Sequence, residues 1–275
     1  MGLDIHAFRF LMEKSREKNF DSTITIGRQN CHLGLKHLKR VGWSKNYVPK
    51  YIEEICIELF GSSPNVFSID NSNYENASII QNLNAPFDHE VGKFDTILDL
   101  GTLEHVFDVK QSMQNINKLV KKNGRIFHVS PTNNFSGHGF YQFSPELFFS
   151  LYSEENGYSE TEVYLKKLDS SNSYFKVKKP QDGKRFQFYS FYPVYILVST
   201  KKNFEAELYD VHQSDYVHLW TNQNQESDKE LNGKDQKKSF EPLWDKWPIK
   251  YFYRTYIFTK NSLTRLNSNL KKIKF

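Results

Sequence analysis

In the first third of the chain, segments with a helical pattern of apolar residues alternate with segments typical of strands. In the helical segments apolar residues recur every three or four positions behind a capping residue, and the strand segments are short β-branched runs. Asp4 is placed to cap the first helix, and Pro49 and Gly61 mark the two ends of a later one. The pattern predicts helices over 4–18, 31–41 and 49–61, and strands over 22–27, 65–70 and 77–80.

Residues 93–131, KFDTILDLGTLEHVFDVKQSMQNINKLVKKNGRIFHVSP, carry the clearest pattern. FDTILDL is almost continuously apolar, which is typical of a parallel strand covered on both faces. Asp108 is placed to cap the amphipathic helix that follows, Asn123-Gly124 is predicted to end it, and RIFHVS is a second strand. This strand–helix–strand unit, with the same alternation upstream, predicts an α/β fold with a doubly wound, mostly parallel sheet.

After this unit the pattern changes. A loop rich in glycine and aromatic residues precedes a predicted helix over 144–152, and residues 184–200 read as one or two strands antiparallel to the rest. Residues 222–240 are polar and of low complexity, as linkers are. We therefore predict one domain over residues 1–200 and a C-terminal extension over 201–275, which holds this linker and a basic aromatic tail.

Composition argues against a disordered chain and against a membrane-spanning protein. A hydrophobic content of 38% with 16% aromatic residues supports a packed core, and no apolar run approaches the length of a membrane span. The two cysteines, Cys31 and Cys56, form no CxxC motif. This cysteine usage favours a reducing compartment, so we expect a cytoplasmic protein.

Charge is concentrated near the C-terminus. The whole chain has a net charge of +5, whereas its last 35 residues combine eight Lys or Arg with two acids, a net +6. A basic aromatic tail can reach phosphates, but more often it covers a core or pairs with a second copy, so a homodimer stays open. The near-neutral remainder argues against nucleic acid as a partner.

Ligands of doubly wound sheets bind outside the carboxyl ends of the strands. The residues that follow predicted strands are therefore the candidates for a binding site. They are Gly27, Arg28, Asp70, Asn82, Leu83, Gly101, Glu104, His105 and His138. Placed this way, Glu104 and His105 are expected at the rim of a cleft; otherwise they are a helix-start acid and a surface histidine.

Four segments in order resemble the class I S-adenosylmethionine-dependent methyltransferases, in a type 11/23-like branch with an LEHV motif. They are FDTILDLGTLEHVFDV, INKLVKKNGRIFHVSP, NLNAPF at 82–87, and FSPELFFSLYSEENGY at 143–158. The likeness covers about residues 20–160. It implies S-adenosylmethionine as the cofactor.

The resemblance also implies where this cofactor lies. Gly27 corresponds to the turn under its methionine end, and Gly101 to the corner near the same moiety. Asp70 corresponds to the acid that holds the ribose hydroxyls. Asn82 and the Leu83 backbone correspond to the adenine contact.

The first turn departs from the family pattern. The family has Gly-x-Gly-x-Gly, whereas IGRQNCHLG has a single glycine before Arg28. S-adenosylmethionine has no pyrophosphate, so close approach of a glycine loop matters less. Arg28 is expected to pair with the cofactor carboxylate, and Asn30 to tolerate a left-handed backbone. The alternative is a decayed site in a binding protein that acts through its C-terminal tail.

A methyltransferase also needs a site for the molecule that accepts the methyl group. The candidate there is His138, which lies between two glycines in the loop after the fifth strand. An imidazole can take a proton from a hydroxyl, so His138 or His105 is the candidate base and Glu104 their neighbour; otherwise His138 is an ordinary loop residue. We expect a small-molecule or glycan acceptor, methylated at oxygen.

Other chemistries are less favoured by the sequence. No metal is predicted, because His32 and His37 are five residues apart and do not share a helix face, and the pair His212 and His218 has no acidic or cysteine companion at ligand spacing. A nicotinamide oxidoreductase is disfavoured, since no Gly-x-Gly-x-x-Gly follows a strand. Modification of nucleic acid rests on the charge of the tail alone.

Overall fold

The computed structural model describes residues 2–87, 89–169, 171–181, 183, 185–208, 211–221 and 270–274. Its helices are α1 (Ile5–Glu17), α2 (Leu35–Arg40), α3 (Glu53–Phe60), α4 (Val109–Leu119) and α5 (Pro145–Leu151). Its strands are β1 (Asp21–Ile26), β2 (Ser62–Asp70), β3 (Ile79–Ile80), β4 (Phe94–Asp99), β5 (Val120–Asn133), β6 (Tyr158–Lys167), β7 (Ser173–Val177), β8 (Val194–Lys202) and β9 (Leu270–Lys274). Short 3-10 turns cover Asn73–Glu75 and Leu103–His105, and a helical segment covers 214–221.

The nine described strands form one sheet in the order β3-β2-β1-β4-β5-β8-β6-β7-β9. Neighbours from β3 to β5 pair in parallel, and each later neighbour pairs antiparallel. The chain order reverses between β1 and β4, where a doubly wound sheet binds its ligands. The predicted fold class is therefore confirmed, as is the antiparallel direction of β8.

Helices cover both faces of the sheet, so the molecule has two cores. Successive residues of β4 point to opposite faces: Ile97 lies in the core under α4 and α5, and Leu98 in the core under α1, α2 and α3. The first core contains Ile116 and Phe148. The second core is rich in aromatic rings that contact one another, and the stacked rings of Phe20 and Phe127 have centroids 5.1 Å apart. Coverage of both faces explains why the FDTILDL run is apolar throughout.

Local signals fixed several helix ends. The Asp4 side chain accepts hydrogen bonds from His6 N and Ala7 N, and the Asp108 side chain accepts from Gln111 N. Gly61 ends α3 with a φ of 68°, a left-handed conformation that favours glycine. These three predicted ends are confirmed.

Other predicted boundaries were wrong. Helix α4 ends at Leu119 rather than at Asn123-Gly124, because the chain enters β5 at Val120 and passes Asn123 with a φ of 64°. The predicted strand over 184–200 begins only at Val194.

In the part of the chain that the structure describes, no helix combines the length and the apolar character required to cross a membrane. The predicted linker over 222–240 and most of the basic tail lie outside the described residues. The division at residue 200 stays a prediction; strand β8, which runs to Lys202, continues past it.

Candidate functional site

Strand register brings three predicted corners to one level of the sheet. Ile26, the last residue of β1, pairs with Ile69 on β2 and with Asp99 on β4. The next residues along these strands are therefore Gly27, Asp70 and Leu100, which leads into Gly101. The carboxyl ends of three adjacent strands thus carry three of the predicted cofactor residues.

The turn after β1 requires glycine. Gly27 has a φ of 71°, and a Cβ on it would lie 2.5 Å from Thr102 Oγ1. Its N–H donates to the Ile69 carbonyl at 2.7 Å, while Thr102 Oγ1 donates to the Ile26 carbonyl at 2.7 Å. Thr102, which the sequence reasoning did not select, locks the first turn to the corner after β4.

Asp70 and Arg28 meet through the backbone. Arg28 N–H donates to Asp70 Oδ2 at 3.3 Å, which ties the first turn to the end of β2. The Arg28 guanidinium donates to Glu53 Oε1 at 2.8 Å and lies over the Tyr51 ring, 3.9 Å from its centroid. Its predicted pairing with a cofactor carboxylate stays a prediction, and the observed contacts give Arg28 a positioning role.

Asn30, expected to support a left-handed turn, is not among the residues with positive φ, so this prediction was wrong. Its carbonyl instead accepts the Leu3 N–H at 2.8 Å, which holds the segment extended beside the N-terminus. Only Gly27 supplies the left-handed step in this turn.

The corner after β3 is anchored to α4. Leu83 is buried, and its carbonyl accepts from Ser112 Oγ at 3.0 Å. Asn82 is exposed, and its side-chain oxygen accepts the Asn84 N–H at 2.9 Å. The structure thus holds the Leu83 backbone in place and presents the Asn82 amide at the surface.

Asp99 closes β4 with a buried polar network that the sequence reasoning missed. Its Oδ1 accepts the Thr102 N–H at 3.1 Å, and its Oδ2 lies 2.8 Å from His128 Nδ1. His128 Nε2 in turn lies 2.7 Å from the Tyr152 hydroxyl. The available signal was an acid inside the apolar run FDTILDL, because a buried carboxylate needs partners.

Glu104, His105 and His138 form one cluster. The Glu104 side chain is 0% exposed, and its Oε1 lies 3.5 Å from His138 Nε2 and 3.9 Å from His105 Nε2. Neither Glu104 carboxylate oxygen, nor His138 Nε2, has a hydrogen-bond partner among the described residues. The expectation that Glu104 lies at a rim was wrong, since the loop after β5 covers it; His105 is 46% exposed.

The loop after β5 is fixed directly to Glu104. Phe140 N–H and Tyr141 N–H donate to the Glu104 carbonyl at 2.7 and 3.2 Å. Gly139 has a φ of 76°, and a Cβ there would lie 2.7 Å from the same carbonyl oxygen. This close approach requires glycine and places His138 over the carboxylate, with its ring centroid 5.0 Å from that of His105.

Burial sets the charge state of the cluster. It raises the pKa of Glu104 to about 8, and the nearby Asp99 carboxylate adds to that rise. Burial lowers the pKa of both His105 and His138, with mutual repulsion contributing at His105. The imidazoles are therefore neutral near pH 7, which leaves a nitrogen lone pair on each for a proton or an ion.

Exposed aromatic side chains lie next to the cluster. Phe107 is 73% exposed and Phe140 is 67% exposed, and their ring centroids are 6.0 Å apart in an edge-to-face arrangement. Tyr141 Oη donates to the Phe107 carbonyl at 2.7 Å, which joins the two loops. We call Phe107 and Phe140 the aromatic rim.

No family model matches this chain, and no curated protein sequence does. Among solved structures, the N-methyltransferase NodS from Bradyrhizobium japonicum with S-adenosyl-L-homocysteine is 9% identical, with 72% of this chain and 88% of that chain covered and a TM-score of 0.37. The YcgJ protein from Bacillus subtilis is 10% identical, with 73% and 100% covered and a TM-score of 0.41. An S-adenosylmethionine-dependent methyltransferase from Clostridium acetobutylicum is 12% identical, with 74% and 76% covered and a TM-score of 0.31. At these values the likeness assigns no activity.

Proposed function

We propose that this chain is an S-adenosylmethionine-dependent methyltransferase of class I, in the LEHV branch, that methylates an oxygen of a small-molecule or glycan acceptor. The observation that carries the proposal is the strand register, which brings Gly27, Asp70 and the corner at Gly101 side by side at the carboxyl ends of β1, β2 and β4. This is the side of a doubly wound sheet on which ligands bind, at the point where strand order reverses.

The residues at this edge suit the cofactor chemically. The Asp70 carboxylate can accept hydrogen bonds from two hydroxyl groups of a ribose. Its Oδ2 already accepts from Arg28 N and its Oδ1 from Asn71 N, and each oxygen has a second lone pair. Gly27 and Gly101 carry no side chain over the edge, and the Leu83 backbone is held by α4. When bound, S-adenosylmethionine supplies a methyl group on a positively charged sulfur.

The Glu104–His105–His138 cluster suits the acceptor side of the reaction. The acceptor oxygen forms its new C–O bond as the C–S bond breaks, and its hydroxyl proton passes to a neutral imidazole, for which His138 is our candidate. The aromatic rim offers ring faces to an apolar, aromatic or sugar acceptor. Positioning in line and exclusion of water are the main tasks left to the protein.

Calorimetric titration with S-adenosylmethionine and S-adenosylhomocysteine tests the proposal. We expect micromolar binding to the unmodified protein, and binding at least about tenfold weaker, or ~1.4 kcal/mol, to Asp70→Ala. Glu90→Ala is the matched control, because Glu90 is an exposed acid in the loop before β4. Its affinity should equal that of the unmodified chain.

Absence of heat, together with absence of thermal stabilisation by either compound, would contradict the enzyme proposal. The first turn would then be a decayed site. The chain would have to be studied as a binding protein that acts through its C-terminal tail.

A further inference from the structure

We propose that Glu104, His105 and His138 bind a divalent first-row transition-metal ion. One ligand atom from each residue, a carboxylate oxygen and two imidazole nitrogens, lies within 4.8 Å of the others. Two histidines and one carboxylate are a donor set that Zn²⁺, Fe²⁺ and related ions accept, and three protein ligands leave positions open.

The distances are close to those that a shared ion requires. Ligands ~2.1 Å from one ion lie ~3.0 Å apart at a right angle and ~3.4 Å apart at the tetrahedral angle. The observed separation of Glu104 Oε1 from His138 Nε2 is 3.5 Å, and from His105 Nε2 it is 3.9 Å. The two imidazole nitrogens lie within 4.8 Å of each other. Because both imidazoles are partly exposed, at 46% and 35%, rotation of the rings can bring their nitrogens closer to a shared ion.

The Glu104 carboxyl group has no cationic partner among the described residues. Glu104 is fully buried, and neither of its oxygens has a hydrogen-bond partner among the described residues. Within the same residues, the basic side chains that come within 4.0 Å of it are the two neutral histidines and no Lys or Arg. Burial of an unpaired carboxylate is costly, so Glu104 without an ion holds a proton, and a cation would take the place of that proton as the partner of the carboxylate.

The fold holds the ligands before any ion arrives. Glu104 and His105 are consecutive on the 3-10 turn after β4, and His138 is brought over them by the loop after β5. That loop is fixed to the Glu104 carbonyl by two backbone hydrogen bonds, and Gly139 permits the close approach. Such pre-organisation lowers the cost of assembling a site.

This inference replaces the metal-free expectation from sequence. That expectation considered histidine pairs close together in the chain, such as His32 with His37. His105 and His138 are separated by the whole of α4 and β5, so their spacing carries no metal motif.

The role of the ion deepens the proposed function and rests on it. The positions that the protein leaves open would accept oxygen atoms of the acceptor beside the aromatic rim, and would hold the reacting oxygen in place. In the ion-bound protein, His138 would be a ligand and not the proton acceptor; the ion would lower the pKa of the bound acceptor hydroxyl, and its proton would pass to solvent water instead.

The test begins with protein freed of metal by chelation and dialysis, without S-adenosylmethionine. Zn²⁺, Mn²⁺ and Mg²⁺ are titrated calorimetrically, and Co²⁺ is titrated by its visible absorption. We expect one ion per chain, with Zn²⁺ and Co²⁺ bound more tightly than Mg²⁺ because two donors are nitrogen. Glu104→Gln and His138→Asn should each weaken ion binding by about tenfold to 100-fold, which is the loss typical of disturbed metal sites.

His37→Asn is the control, since His37 is exposed on α2, and it should leave the affinity unchanged. Circular dichroism establishes that the variants are folded. The proposal would be overturned if the protein did not bind one ion per chain, or if Glu104→Gln and His138→Asn bound the ion as tightly as the unmodified protein.

Titration of S-adenosylhomocysteine on the same metal-free protein separates the two proposals. Ion binding without cofactor binding would remove the proposed function alone, and cofactor binding without ion binding would remove the metal site alone.

Discussion

Two carboxylates in this protein each lie between two basic side chains, with opposite results. Glu162 on β6 accepts hydrogen bonds from Lys14 at 2.6 Å, from Lys176 and from the Tyr164 hydroxyl at 2.9 Å. Burial opposes its ionisation, but the hydrogen bonds from Lys14 and Lys176 outweigh this and lower its pKa to about 2. Burial instead raises the pKa of Glu104 to about 8, because its histidines make no hydrogen bond to it.

The difference separates structural from functional polar groups. Glu162 ties α1 to the sheet through Lys14, and each of its oxygens has a partner. Glu104 is left unsatisfied at the edge of the sheet where ligands bind. A buried polar group without a partner in a folded protein calls for an explanation, and a missing ligand supplies one.

The largest expected effect comes from removing the satisfied carboxylate. Glu162→Ala leaves the Lys14 ammonium, whose side chain is 6% exposed, with Glu17 as its remaining ion-pair partner among the described residues. We expect a loss of about 2–3 kcal/mol in the free energy of unfolding, measured by urea denaturation. Glu13→Ala is the control, because its exposed pair with Arg16 contributes below ~0.5 kcal/mol. Equal losses would contradict the buried-network interpretation.

The next effect tests how closely the loop after β5 approaches Glu104. In Gly139→Ala, a positive φ and a 2.7 Å contact with the Glu104 carbonyl both oppose the new methyl group. We expect about 2 kcal/mol of destabilisation, seen as a lower urea midpoint. Gly137→Ala, in the same loop, meets nothing within 4 Å and should change the midpoint little. A midpoint for Gly139→Ala as high as that of Gly137→Ala would show that the loop is not held there.

Acid titration sharpens the contrast further. The folded-state pKa of Glu162 lies below its ordinary value, so its contribution is complete above about pH 4.5 and is lost as the pH falls towards 2. Because Glu162 is 26% exposed, we expect solvent screening to reduce this loss to about 1–2 kcal/mol. Unfolding free energies of the unmodified protein and of Glu162→Gln, measured from pH 6 to pH 3, should converge. Parallel curves would disprove the coupling.

The smallest effect has the opposite sign and is measured in chelator. The folded-state pKa of Glu104 lies above its ordinary value, so folded protein holds a proton that unfolded chain releases, and stability falls as the pH rises from 4.5 towards 8. Glu104→Gln removes this loss, and we expect it to be more stable by about 1 kcal/mol at pH 8. Thermal unfolding across this range checks it; a variant less stable at pH 8 would refute the assignment.

Much of the fold was predictable because its signals are local. Capping residues and helical periodicity located α1 and α4, and continuous apolar character located β4. Strands β6 and β7 were missed, since the β6 segment YSETEVYLKK mixes polar and apolar residues without clear alternation. Its pattern reflects pairing with β8, a partner distant in sequence.

The site was predictable only in part. Strand ends predicted that Gly27, Asp70 and Gly101 lie at one edge of the sheet, because the carboxyl edge of a parallel sheet follows from the order of elements. The burial of Glu104 and its contact with His138 depend on how the loop after β5 closes, which no local pattern encodes. The Arg28–Glu53 ion pair joins the turn after β1 to the first residue of α3, and no local pattern predicts it either.

Strand β8 lies between β5 and β6, although both precede it in the chain. The sheet therefore cannot assemble in the order in which the ribosome delivers it. A nascent chain that ends before Val194 exposes the unpaired edges of β5 and β6, two of the longest described strands, until β8 inserts between them. Open edges of this kind invite pairing with other chains, so this step of synthesis is where we expect the protein to depend on chaperones.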